Sequence, residues 1–258
     1  MNLLRSLLIW LMLLFAAGAT SAVAAPGADA AGEWISYRDA YRAMLWFEKY
    51  GQPKHLIQAH FRLAQSGAMA SGTLVNATPV AAALPAQLTL SSKSVRVNLT
   101  LDETGRTHLP MLKAAYDENA ELQLPQKIPD LNFAAEISIM IRADGIYNLA
   151  DLRAACQQVL AYQNWRDASL LRGKKCSGVR FVYAKKNAPS SLAVRRGDPA
   201  LSAQLNAPPA LTLSDGAAFW HASEAPVFRV ANVLFATLPD KGQVLTPSAP
   251  LAISALFE

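Results

Sequence analysis

The chain has 258 residues, 24 Lys and Arg against 19 Asp and Glu, a formal net charge of +5 and an apolar share of 52%. That length buries a core in one large domain or two small ones, and the mildly basic total says less than where the charge sits. No apolar run after the first 24 residues approaches a membrane span, so an integral membrane segment is excluded there.

Residues 1–24 read as a signal peptide. Arg5 supplies the positive end, Leu7–Phe15 the apolar stretch and Ala22-Val23-Ala24 the small-x-small cleavage site. No Leu-x-x-Cys box follows, so a lipid anchor has no attachment point. The expectation is export, to a bacterial periplasm given the compact Ala-rich cleavage region, with a mature chain starting near Ala25. Residues 25–32 form a mobile small-residue leader. The Asn-x-Thr matches at Asn76 and Asn98 are read as chance.

Ser36-Tyr37-Arg38-Asp39 predicts a capping box opening a helix to about Tyr50, ended by Gly51 and Pro53. Its aromatics Tyr37, Tyr41, Trp46, Phe47 and Tyr50 nearly encircle it and are read as packing rather than a ligand face. Strands follow. Ile57–Leu63, Val95–Leu101 and Phe133–Ile141 alternate with period 2, each with an apolar and a wetter face. Gln87–Ser91, Arg106–Leu109 and Glu121–Leu124 are weaker strands, Asp102–Gly105 a hairpin turn and Met111–Tyr116 a short helical piece.

Leu149, Leu152, Cys156, Val159, Leu160 and Gln163 line one face of a second helix. Asn148 is its N-cap and Asp151 the returning acid. Gly173 and Arg172-Lys174-Lys175 break that pattern before a strand through Val179, Phe181 and Tyr183. The only cysteines, Cys156 and Cys176, would pin helix to strand as a disulfide; an exported chain meets an oxidising compartment. Further strands fit Ser191–Val194, Ala210–Ser214, Ala218–Ala222, Val227–Thr237 and Leu251–Phe257, between Pro/Gly-rich breaks.

The expected fold class is α+β: antiparallel sheets with two packed helices, in two similar halves at 33–143 and 146–258 or as one continuous domain. Each half opens with a capped helix followed by a strand containing Phe61 or Phe181. Pro85–Ser91 also matches Pro209–Ser214 in letters. The run Val97–Pro110, a strand, a Gly turn and Arg106-Thr107-His108-Leu109-Pro110, resembles a pattern in secreted Gram-negative proteins of unknown function. That resemblance implies a compartment and little else.

No Gly-x-Ser-x-Gly elbow, Ser-x-x-Lys pair or free thiolate is assembled in sequence, and no catalytic residue is assigned. His55, His60, His108 and His221 form no metal motif, so no metal or cofactor is expected, and His55 and His60 fall on opposite faces of one strand. Asp102-Glu103 and Asp117-Glu118 are solvated acids, and Arg196-Gly197-Asp198 is too short to inform. Residues 166–196, by contrast, hold nine Lys and Arg and a single acid, Asp167. Arg166, Arg172, Lys174, Lys175, Arg180, Lys185 and Lys186 are therefore the candidate anion-binding set, with ordinary solubility charge as the alternative.

The function expected is that of a non-catalytic exported envelope protein that binds or scaffolds. Its basic surface would face anionic lipid, polysaccharide or an acidic envelope protein, and not nucleic acid. The alternative is a hydrolase of an envelope polymer using carboxylates not contiguous in sequence.

Overall fold

The computed structural model describes residues 34–65, 85–128, 131–196, 210–219, 228–238 and 241–258. The signal peptide, the leader, Asn76, Gly197-Asp198 and His221 lie outside them, as do residues 220–222 of the strand expected over Ala218–Ala222, whose described residues Ala218 and Phe219 form a bend instead. The fold is mixed α and β, with antiparallel sheets of three or four strands.

In the first half, β1 (Trp34–Ser36) runs into α1 (Tyr37–Lys49). The expected cap forms: the Asp39 amide donates to Ser36 Oγ at 3.3 Å. There follow β2 (Ile57–Gln65), β3 (Gln87–Ser91), β4 (Arg96–Thr100), β5 (Arg106–Thr107), the short α2 (Lys113–Asp117), β6 (Glu121–Gln123) and β7 (Leu131–Ile139). In the second half, β8 (Ile146–Asn148) runs into α3 (Leu149–Arg166). Then come β9 (Cys176–Tyr183), β10 (Ser191–Arg196), β11 (Ala210–Thr212), β12 (Ser214–Gly216), β13 (Phe228–Leu234), β14 (Gly242–Leu245) and β15 (Ala252–Phe257).

The halves share one plan. One sheet runs β1-β6-β3-β4, and its counterpart runs β8-β14-β10-β11; the other runs β5-β2-β7, and its counterpart β13-β9-β15, with β12 added beside β13. Register agrees as well. Phe61 on β2 lies between Thr107 and Ala135, and Phe181 on β9 between Ala231 and Ile253. The letter match of Pro85–Ser91 to Pro209–Ser214 is misplaced, however. By strand order β3 corresponds to β10, while Ala210–Thr212 is β11, the counterpart of β4.

Other local readings change for physical reasons. Asp102–Gly105 is not a hairpin, because β4 and β5 belong to different sheets. It is an Asx turn in which Asp102 Oδ1 accepts from the Thr104 amide (2.8 Å), Thr104 Oγ1 (2.6 Å) and the Arg106 amide (3.0 Å), with Gly105 at φ 79°. Asn148 makes no side-chain cap bond. Its Oδ1 accepts from Gln243 Nε2 across the β8–β14 pair and its Nδ2 donates to Asp151, so strand pairing takes the groups a cap would use. The strands β1, β8 and β14 are too short for alternation to reveal. The Val227–Thr237 strand ends at Leu234, where a 3-10 turn takes over.

Two cores result. One joins Leu88, Leu90, Leu99 and Leu122 of the first-half sheet to Tyr37, Ala40 and Met44 of α1 and Phe61 and Leu63 of β2. The other joins Leu149, Leu152, Val159 and Tyr162 of α3 to Phe181, Ala231 and Ile253, and takes in Phe47, Tyr50, Ile57, Ile137 and Ile139 from the first half. β7 lies alongside β15.

The sheet faces pointing away from the helices are not wet, as alternation alone suggests, but largely covered. Arg62, Arg106, Glu136, Ser138 and Ser254 are all buried there. The segment 217–219 crosses them: Arg180 Nη1 donates to the Ala217 carbonyl and Ser254 Oγ to the Ala218 carbonyl, each at 3.0 Å. Arg62 and Arg106 stack on the Phe219 ring at 4.6 and 5.7 Å. By register these two arginines occupy the places held by Val182 and Val230 in the second half.

Candidate functional site

The turn between α3 and β9 is held at several points. The Asp167 amide closes the helix on the Gln163 carbonyl (2.8 Å), and the Asp167 carboxylate turns back to cap Ser169. Leu171 is buried beneath the turn. Gly173 takes φ 75°, a left-handed value that suits glycine. Lys175 exchanges two backbone hydrogen bonds with Glu258, both 3.1 Å. Finally Cys176 is disulfide-bonded to Cys156, Cα to Cα 6.0 Å, which closes the loop. Arg166, Arg172, Lys174 and Lys175 stand exposed on this braced corner and form no ion pair among the described residues.

The other three members of the basic set lie elsewhere. β9 spans about 25 Å at roughly 3.3 Å per residue, so its two ends are far apart. At the far end Lys185 pairs with Asp215 (3.2 Å) and Lys186 with Glu103 (3.0 Å). Arg180 sits mid-strand on the covered face, where its Nε donates to Asn232 Oδ1 at 3.0 Å and burial lowers its pKa. The seven residues thus divide into a corner of four, a pair at the far end of β9, and Arg180 between them.

Beside the corner lies an aromatic cluster that joins the two helices. The Trp46 and Trp165 rings are 5.6 Å apart, and Trp165 also contacts Tyr50 (5.2 Å) and Tyr162 (5.9 Å). Phe47, Tyr50 and Tyr162 are buried as expected of packing residues, but Trp46 stays 52% and Trp165 46% exposed. Trp165 falls off the apolar stripe of α3, so periodicity gave no sign of it.

A second cluster lies under the 217–219 segment. Arg62 faces Glu136 at 3.8 Å, both nearly buried. Arg106 grips Asp102 with Nε and Nη2 (3.1 and 2.9 Å), donates to Ser138 Oγ (3.2 Å) and reaches the Leu251 carbonyl. Burial pushes the Asp102 carboxyl up, yet the Arg106 guanidinium and the turn hydrogen bonds bring it net below its usual range. His60, partnered across the strand pair with Glu136, is held at a pKa of about 4, chiefly by burial and then by Arg106. His55 precedes β2 instead of lying on it, so the strand-parity argument does not apply to it; its Nδ1 lies 3.4 Å from Gln158 Nε2.

Glu136 thus faces Arg62 and Asp102 faces Arg106 within the first half, and the same two arginines reach the second half through the Phe219 ring and, for Arg106, the Leu251 carbonyl. No group of three metal-binding side chains occurs among the described residues. A polar cleft of about 240 Å³ runs between Arg142–Gly145 and Thr246–Ala249. Its one carboxylate, Asp144, is held at about 2, first by its hydrogen bond from Arg142, so it carries no proton to give near neutral pH. No family model, no curated protein and no solved structure matches this chain.

Proposed function

We propose that the chain is an exported, non-catalytic protein of the bacterial envelope that binds an anionic partner through Arg166, Arg172, Lys174 and Lys175. The observation that supports this reading most is the corner itself. Four exposed cations without acidic partners among the described residues stand on a turn fixed by a disulfide and a strand pair, so little side-chain-bearing backbone has to be ordered on binding. The disulfide also fits an oxidising compartment. No described helix is long and apolar enough to cross a membrane.

Exposed charges act over a Debye length of about 8 Å at physiological salt, so retention on an immobilised sulfated polysaccharide should be weak and lost as salt rises. The combined Arg172→Glu, Lys174→Glu and Lys175→Glu variant should elute in the void with an unchanged melting temperature. Lys185→Glu with Lys186→Glu should elute like the wild type, because those lysines already face acids. Equal loss from both variants would mean bulk charge, not the corner, and would overturn the proposal.

A further inference from the structure

We infer that the partner of this corner is the surface of an anionic lipid bilayer, and that Trp46, Trp165 and Leu170 are the side chains that enter it. The inference rests on the anion-binding reading above and names its partner.

Trp46 and Trp165 come from different helices yet meet edge to face at 5.6 Å, with about half of each side chain in water. Packing that brought two indoles together had core to hide them in; Phe47, Tyr50 and Tyr162 of the same cluster are buried. Leu170, 46% exposed, adds an aliphatic group from the turn directly after α3. Trp165 adjoins Arg166 in the chain, and Arg172, Lys174 and Lys175 follow Leu170 in the same braced turn. Lys49 stands one helical turn from Trp46 on α1 and is exposed. The acids nearby are Asp167, whose carboxylate is occupied by Ser169, together with Glu48 and Glu258.

Indole rings with apolar bodies and one N–H settle at the headgroup level of a bilayer, and Lys and Arg beside them meet anionic headgroups. A soluble sulfated polysaccharide would satisfy the cations and stack sugar rings on the indoles, but it has no acyl chain for Leu170 and leaves that side chain in water. A bilayer takes all three, and each cation near its surface strengthens binding roughly fivefold.

The test uses the full exported chain with vesicles of phosphatidylglycerol and phosphatidylcholine, vesicles of phosphatidylcholine alone, and the sulfated polysaccharide as a soluble competitor. Expected are partition onto the anionic vesicles only, quenching of tryptophan fluorescence by lipids brominated on the acyl chains, and loss of that quenching in Trp46→Ser with Trp165→Ser. Because Trp165 also packs on Tyr50 and Tyr162, Leu170→Asp, an exposed position in the turn after α3, is the companion variant and should lower vesicle partition on the order of tenfold. Retention on the polysaccharide without vesicle binding, or vesicle binding insensitive to Leu170→Asp and to the tryptophan changes, overturns this inference and leaves the anion-binding reading standing. Failure on both surfaces overturns both.

Discussion

His60 shows how a single side chain couples this fold to pH. Its imidazole is held at about 4 against an ordinary 6.5, chiefly by burial, then by the Arg106 charge and His108, with Asp102 and Glu136 pulling the other way. The unfolded chain takes up that proton near 6.5 and the folded chain only near 4. Stability should be full above pH 6.5 and fall by roughly 3 kcal/mol as pH drops to 4. Urea midpoints measured at several pH values between 7 and 4 should show this slope, and His60→Gln should flatten it. Asp102, whose pKa is depressed, adds its own loss only below its ordinary 3.8, outside that window. Arg106 has a different test. Its guanidinium serves Asp102 Oδ2, Ser138 Oγ and the Leu251 carbonyl at once, and Arg106→Ala removes that donor from all three. A cost of roughly 3 kcal/mol in denaturant unfolding is expected, and Arg106→Lys should recover only part, since an ammonium cannot reproduce the fork. Neither role was legible in the sequence. Period-2 alternation assigned His60, Arg62 and Glu136 to a wet face, correctly as to side, but it could not show that 217–219 would cover that face.

At the scale of elements, the helix α3, its following turn and β9 were legible because each had its own local signal: an apolar stripe, Gly173 with its basic neighbours, and strict alternation. The Cys156–Cys176 bridge follows from that layout and is present. Closing a loop of 20 residues is worth about 3 kcal/mol in the chain-entropy picture. The paired change Cys156→Ala and Cys176→Ala should therefore lower unfolding free energy by that order, and reduction of the wild type should do the same; equal stability of the two forms would show that the helix needs no pin. What the elements could not announce is which of them meet. Trp46 and Trp165 belong to helices far apart in the chain. The basic residues around β9, contiguous in sequence, were dispersed by the strand's own length.

For the whole molecule, two halves with one strand order do not make two independent units. The second-half core includes Phe47, Tyr50, Ile57, Ile137 and Ile139 from the first. A fragment of residues 146–258 expressed alone should expose the surface those side chains cover, bind a hydrophobic dye and lack a cooperative thermal transition. Co-refolding with 34–143 should restore one. A fragment that melts cooperatively by itself would show the shared core to be dispensable. The sequence suggested two similar halves through Phe61 and Phe181, residues whose surroundings the strand order makes equivalent. It could not suggest the shared core, because that depends on β7 lying beside β15, a contact no local pattern encodes.

The connection between the halves is held tightly. Gly145 has φ 64°, and a Cβ there would stand 2.8 Å from the Thr246 carbonyl oxygen. The Thr246 amide and hydroxyl both donate to the Gly145 carbonyl, the Arg142 amide donates to the Tyr147 hydroxyl, and the Met140 amide donates to the Leu56 carbonyl. Jaws that close on a ligand need a stretch of chain whose dihedrals can swing, and this joint is clamped from both sides. A substitution of Gly145 by alanine should therefore disturb this joint more than one at Gly51, where a Cβ meets nothing within 4 Å.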